Sequence, residues 1–264
     1  MSLIKIIILG IIQGITEFFP VSSSGHLVLA QNLLGLKEPQ LLVDVMLHFG
    51  TILSLFVFLR KEIKDILLSL WEFCKKPSLK TKDTNMVLVL SLIVASIPTF
   101  LMGYFFSGLF ESLFESPRSV SGALFITALF LFFTKFARQK KIRRPLHPFL
   151  IGVLQGIAIV PGFSRSGLTI GGALYLGWER EKAARFSFLL SIPAILGASV
   201  FQLQKTVISA QPWGIIIIGI LAAALTGYFA LVFLTEIINK GKFYVFSFYL
   251  AAAAVLGFIL TMYT

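Results

Sequence analysis

The sequence predicts an all-α polytopic membrane protein with an inverted-topology repeat, each copy a re-entrant helical hairpin followed by three transmembrane helices. Three observations carry this. The 264 residues are 57% hydrophobic and 13% charged, against about 45–50% apolar and about 25% charged for an ordinary soluble domain. Six apolar runs are long enough, or nearly so, to cross a bilayer. Two further apolar regions are broken by polar, Gly-containing loops and match one another.

The mean hydropathy of +0.91 leaves apolar surface that water cannot solvate, and lipid is its natural solvent. The net charge of +11 does not point to nucleic acid, because the basic residues cluster in short connections between apolar runs. The single cysteine, Cys74, excludes an internal disulfide and a cysteine-rich metal site and reads as an incidental loop residue. The start, Lys5 followed by Ile6–Ile12, imitates a secretory leader. Glu17 and Pro20 are misplaced for one, and the segment has a partner later in the chain.

The runs near 41–59, 86–106, 119–136, 186–203, 213–235 and 243–263 meet or approach the roughly 17–25 helical residues that cross hydrocarbon. The region 3–36 breaks at Pro20-Val21-Ser22-Ser23-Ser24-Gly25, and 146–177 breaks at Pro161-Gly162-Phe163-Ser164-Arg165-Ser166-Gly167. Each half is too short to span comfortably. Loops at membrane depth persist only when buried in protein or lining a cavity, so re-entrant hairpins are the economical reading.

One constant offset aligns the two regions. Gly10, Gln13 and Gly14 fall on Gly152, Gln155 and Gly156. Ser22, Ser24 and Gly25 fall on Ser164, Ser166 and Gly167, and Gly35 falls on Gly177. The chain reads as one membrane domain, with repeat one at 1–136, a basic cytoplasmic connection at 137–145 and repeat two at 146–264. An odd number of spans per repeat puts the copies in opposite orientation, the design of transporters whose broken helices meet near the midplane.

The charges divide accordingly. Arg60, Lys61, Lys64, Lys75, Lys76, Lys80, Lys82, Lys135, Arg138, Lys140, Lys141, Arg143, Arg144, Arg180, Lys182, Arg185, Lys240 and Lys242 fall on one side, against Lys5, Lys37, Arg118 and Lys205 on the other. The positive-inside rule makes the richer side cytoplasmic. Both termini then face outward, and the first hairpin enters from outside.

Ionisable residues in apolar surroundings are functional candidates, and Glu17, His26 and Arg165 stand out. At the repeat offset they face Ile159, Leu168 and Ser23, so the scaffold positions agree while the reactive ones differ. Two similar hairpins then build one asymmetric site. Gln13 and Glu17 share a helix face and offer oxygens for a hard divalent cation beside substrate phosphates. Glu17 is alternatively a general base. His26 is a proton carrier, a phosphorus nucleophile or a capping residue. The Arg165 guanidinium matches phosphate oxygens, and Ser164, Ser166, Gly167 and Thr169 surround it where a helix resumes, an anion-binding context. Ser22, Ser23, Ser24 and Gly25 offer similar donors. His48 reads as a packing or polar-contact histidine and His147 as interfacial. Neither a P-loop nor a GxSxG elbow is present.

The segment Gln13-Gly14-Ile15-Thr16-Glu17-Phe18-Phe19-Pro20-Val21-Ser22-Ser23-Ser24-Gly25-His26 resembles the first signature of the bacterial undecaprenyl pyrophosphate phosphatases of the bacitracin-resistance type. Pro161-Gly162-Phe163-Ser164-Arg165-Ser166-Gly167-Leu168-Thr169 resembles their second. The likeness covers essentially the whole chain. It implies an enzyme of the bacterial inner membrane that hydrolyses undecaprenyl pyrophosphate to the monophosphate, recycles the carrier for cell-wall synthesis and confers bacitracin resistance. It further implies a divalent cation, Mg²⁺ or Ca²⁺, and a site open to the periplasm. Carried over position by position, Glu17, Ser23 and His26 match the first motif's functional residues, and Ser164, Arg165 and Thr169 match the second's. The family has Glu or Gln at position 13; Gln cannot serve as a base, which leaves Glu17 and His26 as acid/base candidates.

The partners implied are a polyprenyl pyrophosphate and membrane lipid. A homo-oligomer is neither required nor excluded. The rival from another class is a polyprenyl phosphate flippase or transporter, which the repeat design also suits.

Overall fold

The computed structural model describes residues 2–36, 40–75, 84–106, 108, 117–140, 144–204 and 213–263. The basic residues Lys37, Lys76, Lys80, Lys82, Lys141, Arg143 and Lys205 lie outside the described residues.

Helices α1 (Leu3–Phe18) and α2 (Ser23–Leu33) form the first interrupted region. Phe19 leaves α1 with φ −62° and ψ 143°, the extended conformation that a following proline imposes. Helices α3 (Leu41–Phe58), α4 (Arg60–Lys75), α5 (Thr84–Phe105) and α6 (Pro117–Phe133) follow, and a 3₁₀ turn at Thr134–Phe136 extends α6. The second interrupted region is α7 (Leu146–Ile157) and α8 (Arg165–Tyr175). Between them Gly162 has φ +93°, and a Cβ there would strike the carbonyl oxygen of Val120; only glycine meets both demands. Then come α9 (Arg180–Gln204), α10 (Trp213–Asn239) and α11 (Phe246–Tyr263).

Among the described residues six helices are long and apolar enough to cross a membrane: Leu41–Phe58, Thr84–Phe105, Pro117–Phe136, Arg180–Gln204, Trp213–Asn239 and Phe243–Thr261. They coincide with the six runs read from hydropathy. Two run further than expected, because a helix does not stop where its apolar run stops. The start of α9 is carried by Glu181, which pairs with Arg185 one turn on, and the end of α10 by Glu236 with Lys240.

Two expectations change. The stretch after residue 60 is the amphipathic helix α4, packed on α5 and α3, so Cys74 is an exposed helical residue rather than a loop residue. Ile63 and Ile66 pack against the main core while Lys61 and Lys64 stay outside; the density of charge hides that helical period in the sequence. His147 is buried, accepting the Trp178 indole N–H at Nδ1 (3.0 Å), so it packs instead of sitting at an interface.

The helices pack reciprocally. The first arm of region one, α1, lies along α10; the first arm of region two, α7, lies along α5. Glycines permit both approaches. A Cβ on Gly10 would stand 2.5 Å from the carbonyl oxygen of Gly219, and one on Gly152 would overlap that of Ala95. Likewise α3 meets α9, and α6 meets α11. Each broken region also closes on itself. The Lys5 ammonium reaches the Leu34 carbonyl (2.5 Å), and the Trp178–His147 bond joins the two ends of the second.

One core cluster gathers Phe18, Leu55, Phe186, Phe188, Leu190, Leu231 and Leu234; a smaller one gathers Ile6, Leu9, Val43, Leu47 and Ala223. The outer faces expose apolar side chains such as Phe125, Ile126 and Leu129 on α6 and Leu221, Leu225 and Phe229 on α10, as lipid-facing helices do.

Candidate functional site

Glu17 lies in the last turn of α1, buried to 8% exposure, and its carboxylate is met by four polar side chains. Arg165 Nη2, from the first residue of α8, donates to Oε1 at 2.5 Å. Ser23 Oγ, from the first residue of α2, donates to Oε2 at 2.7 Å. Gln13 Nε2, one turn back on α1, donates to Oε2 at 3.0 Å. His48 Nε2, from α3, stands 3.6 Å from the same oxygen. A buried carboxylate costs several kcal/mol to desolvate unless paired and hydrogen-bonded; here a cation and two donors satisfy it.

The break before α2 leaves Ser22 at φ +67° and ψ 89°, the only non-glycine residue with positive φ among those described. Such strain costs about 1–3 kcal/mol and concentrates at functional sites. The Ser22 hydroxyl is buried and has no hydrogen-bond partner. Ser22 Oγ makes no cap bond, whereas Ser164, its counterpart, caps α8 by accepting from Gly167 N–H (3.1 Å).

The second region builds a brace behind Arg165. Ser164 and Ser166 share a hydroxyl contact at 3.2 Å. Thr169 is fully buried; its hydroxyl donates to the Arg165 carbonyl (2.8 Å) and meets Ser187 of α9 at 2.5 Å. Ser164, Ser166, Gly167 and Thr169 therefore fix the start of α8, and the Arg165 side chain, 16% exposed, reaches forward from it.

Glu17, Ser23, Gln13 and Arg165 thus meet in one place. His26, the first region's other reactive candidate, turns toward α11. Its Nδ1 lies 2.9 Å from the Ser22 carbonyl, which only accepts, so Nδ1 carries the proton. Nε2 then accepts from the Tyr249 hydroxyl. Ser24 is half-buried beside it.

Residues beyond the sequence candidates also matter. His48 faces Glu17; Asp44, one turn before it, receives a bond from Gln31 Nε2 at 2.6 Å; Tyr249 and Ser187 contact His26 and Thr169. The rule that selected Glu17, an ionisable group within an apolar run, also marks Asp44 and His48. Nothing in the sequence marks Tyr249 or Ser187, which lie far along the chain.

Among the described residues no cluster of three or more His, Cys, Asp and Glu side chains forms a ready-made metal cage. The local donors nevertheless fit a hard cation shared with a phosphorylated ligand. Gln13 Oε1 is buried without a partner, beside the Glu17 carboxylate, and substrate phosphates supply further oxygens.

Fold and site together define a multi-pass helical membrane protein with a buried polar centre suited to an anionic head group. Its carboxylate and its guanidinium come from different broken regions. The chain belongs to the bacitracin resistance protein BacA family, whose model matches residues 6–256. It is 44% identical over 263 residues to an undecaprenyl-diphosphatase of Carboxydothermus hydrogenoformans and 41% identical over 256 residues to one of Halothermothrix orenii, each comparison covering 94% of both chains. A protein of the same name from Methanosphaera stadtmanae is 34% identical over 274 aligned residues, covering 99% of both chains.

Proposed function

We infer that this protein hydrolyses undecaprenyl pyrophosphate to undecaprenyl phosphate and inorganic phosphate, recycling the lipid carrier for cell-wall synthesis and so conferring bacitracin resistance. The observation that carries the chemistry is the Glu17–Arg165 contact. It places a phosphate-binding fork and a potential base within one hydrogen bond of each other. Phosphoryl transfer asks a protein mostly for positioning and charge stabilisation. Arg165 keeps donors beyond the one on Glu17, and these hold phosphate oxygens. Ser22 adds a free hydroxyl. Ser23 already donates to Glu17, the geometry of a hydroxyl and its base. The oxygen of Ser23, or of a water in its place, attacks the terminal phosphorus as the phosphoanhydride bond breaks and undecaprenyl phosphate leaves. In the first case water then hydrolyses the phosphoserine. His26 is the second proton carrier. Ser164, Ser166, Gly167 and Thr169 act through the helix start that carries Arg165.

A divalent cation, Mg²⁺ or Ca²⁺, belongs to this reading. Glu17 and Gln13 would hold it, and when bound it would neutralise phosphate charge beside the carboxylate.

The finer architecture is part of the same proposal: repeats at 1–136 and 146–264, a basic connection at 137–145, opposite orientations and re-entrant hairpins. The reciprocal packing of α1 on α10 and α7 on α5, and the joined ends of each hairpin, support it. Contacts also gather the basic ends: Lys140 N–H bonds the Gly177 carbonyl, Arg180 bonds the Asn239 carbonyl, and Arg185 pairs with Glu62. With that side cytoplasmic, the protein sits in the bacterial inner membrane with both termini outside and the first hairpin open to the periplasm.

The test is phosphate release from undecaprenyl pyrophosphate by detergent-purified protein, with and without EDTA, beside Glu17→Ala. The reading expects metal-dependent release that folded Glu17→Ala lacks; no release from folded protein with lipid and metal supplied defeats it. The reciprocal packing also favours a second reading, a polyprenyl phosphate flippase. Lipid translocation in vesicles without phosphate release would select that one.

A further inference from the structure

We propose that His48 is a third protein ligand to the divalent cation, through Nε2. The inference rests on the reading of the hairpin site as a metal-assisted pyrophosphatase, which it deepens.

Four observations converge. His48 Nδ1 lies 2.7 Å from the backbone carbonyl of Asp44. A carbonyl only accepts, so Nδ1 bears a proton, and Nε2 is the nitrogen left to offer a lone pair to a metal. A ring N–H given to a backbone carbonyl is the arrangement that fixes metal-binding imidazoles. Next, Nε2 stands 3.6 Å from Glu17 Oε2. That is long for a hydrogen bond, and it matches two ligands of one ion, which at bond lengths of about 2.0–2.5 Å stand roughly 3–3.6 Å apart. The third observation is the buried, unpartnered Gln13 Oε1 on the residue that already bonds Glu17 Oε2. Lastly, the His48 side chain is 25% exposed while Glu17 is 6% exposed, so the imidazole stands on the open side of the carboxylate. Mn²⁺ shares the oxygen preference of Mg²⁺ and Ca²⁺, so it serves as their paramagnetic stand-in at a site of carboxylate, amide and imidazole.

The experiment uses the full-length protein in detergent with Mn²⁺ alone. Binding is followed by loss of the free-ion EPR signal, and pulsed EPR reads coupling to an imidazole nitrogen. The expected result is bound Mn²⁺ with nitrogen coupling that persists in His26→Gln and disappears in His48→Gln. Mn²⁺ affinity in His48→Gln should fall by about tenfold or more, at least the loss seen when supporting partners of ligands are removed. Bound Mn²⁺ without nitrogen coupling in the unmutated protein overturns the proposal whether or not a variant folds. So does coupling lost in His26→Gln instead, or no Mn²⁺ binding. Phosphate release with Mg²⁺ in the same preparation separates the outcomes: hydrolysis without nitrogen coupling removes His48 as a ligand and leaves the phosphatase standing.

Discussion

Arg165 and Glu17 meet at 2.5 Å although one opens α8, just after the second break, and the other stands in the last turn of α1, just before the first. The contact ties two segments that otherwise pack mainly on other helices. Breaking a buried pair by removing one partner typically destabilises by about 3–5 kcal/mol, so Arg165→Ala should lose both stability and turnover. Removing one preorganised charge-stabilising donor costs roughly 10²–10³ in kcat. Arg165→Lys restores the charge without the fork and should recover the melting temperature more than the rate. Phosphate release and thermal unfolding, measured side by side, decide it. Full turnover in Arg165→Lys would mean that a point charge suffices.

Ser22 should show the opposite balance. Its backbone sits in the left-handed region, where glycine carries no Cβ penalty, and its hydroxyl makes no bond that a substitution would break. Ser22→Gly should therefore raise the melting temperature while lowering kcat/KM, because the unspent donor is lost from the site. A variant neither more stable nor less active would show that the strain and the free hydroxyl serve no purpose here.

These two residues also show what the sequence discloses and what it withholds. Glu17 and Arg165 are legible because a charge in an apolar run is costly, and costly residues mark themselves. Ser22 is legible as a polar turn residue, but its left-handed backbone is not, since three serines in succession give no reason to choose one. The six spans are legible because crossing a bilayer needs a run of fixed length. The amphipathic α4 is hidden by its own charges, which read as a connection. His48 is visible as an ionisable residue but not as a neighbour of Glu17, because that contact depends on how α3 lies against α1.

The repeated glycines have a packing reason that can be tested apart from activity. A Cβ on Gly152 would overlap the Ala95 carbonyl, whereas one on Gly122 meets nothing within 4 Å. Gly152→Ala should lower the melting temperature, at a cost of about 1–3 kcal/mol for forcing two backbones apart. Gly122→Ala should leave it unchanged or raise it slightly, since alanine is the better helix former. Equal behaviour of the two would remove close approach as the reason for the glycine.

Tyr249 lies far along the chain from the first motif yet bonds its last residue, His26. His26 gives its Nδ1 proton to the Ser22 carbonyl, so Nε2 is the nitrogen free to carry a proton, and the Tyr249 hydroxyl holds it. Tyr249→Phe keeps the ring, which stacks on His26 with centroids 5.8 Å apart, and removes only the donor. If His26 moves a proton during turnover, the freed imidazole is less well oriented. The expected loss in kcat is then several-fold, short of the roughly 10²–10⁴ that a whole acid–base catalyst contributes, with KM little changed. His26→Ala should lose more than Tyr249→Phe, and combining the two should add nothing further, because the tyrosine acts through the histidine. A Tyr249→Phe effect that persists undiminished in a His26→Ala background would place Tyr249 on the substrate instead.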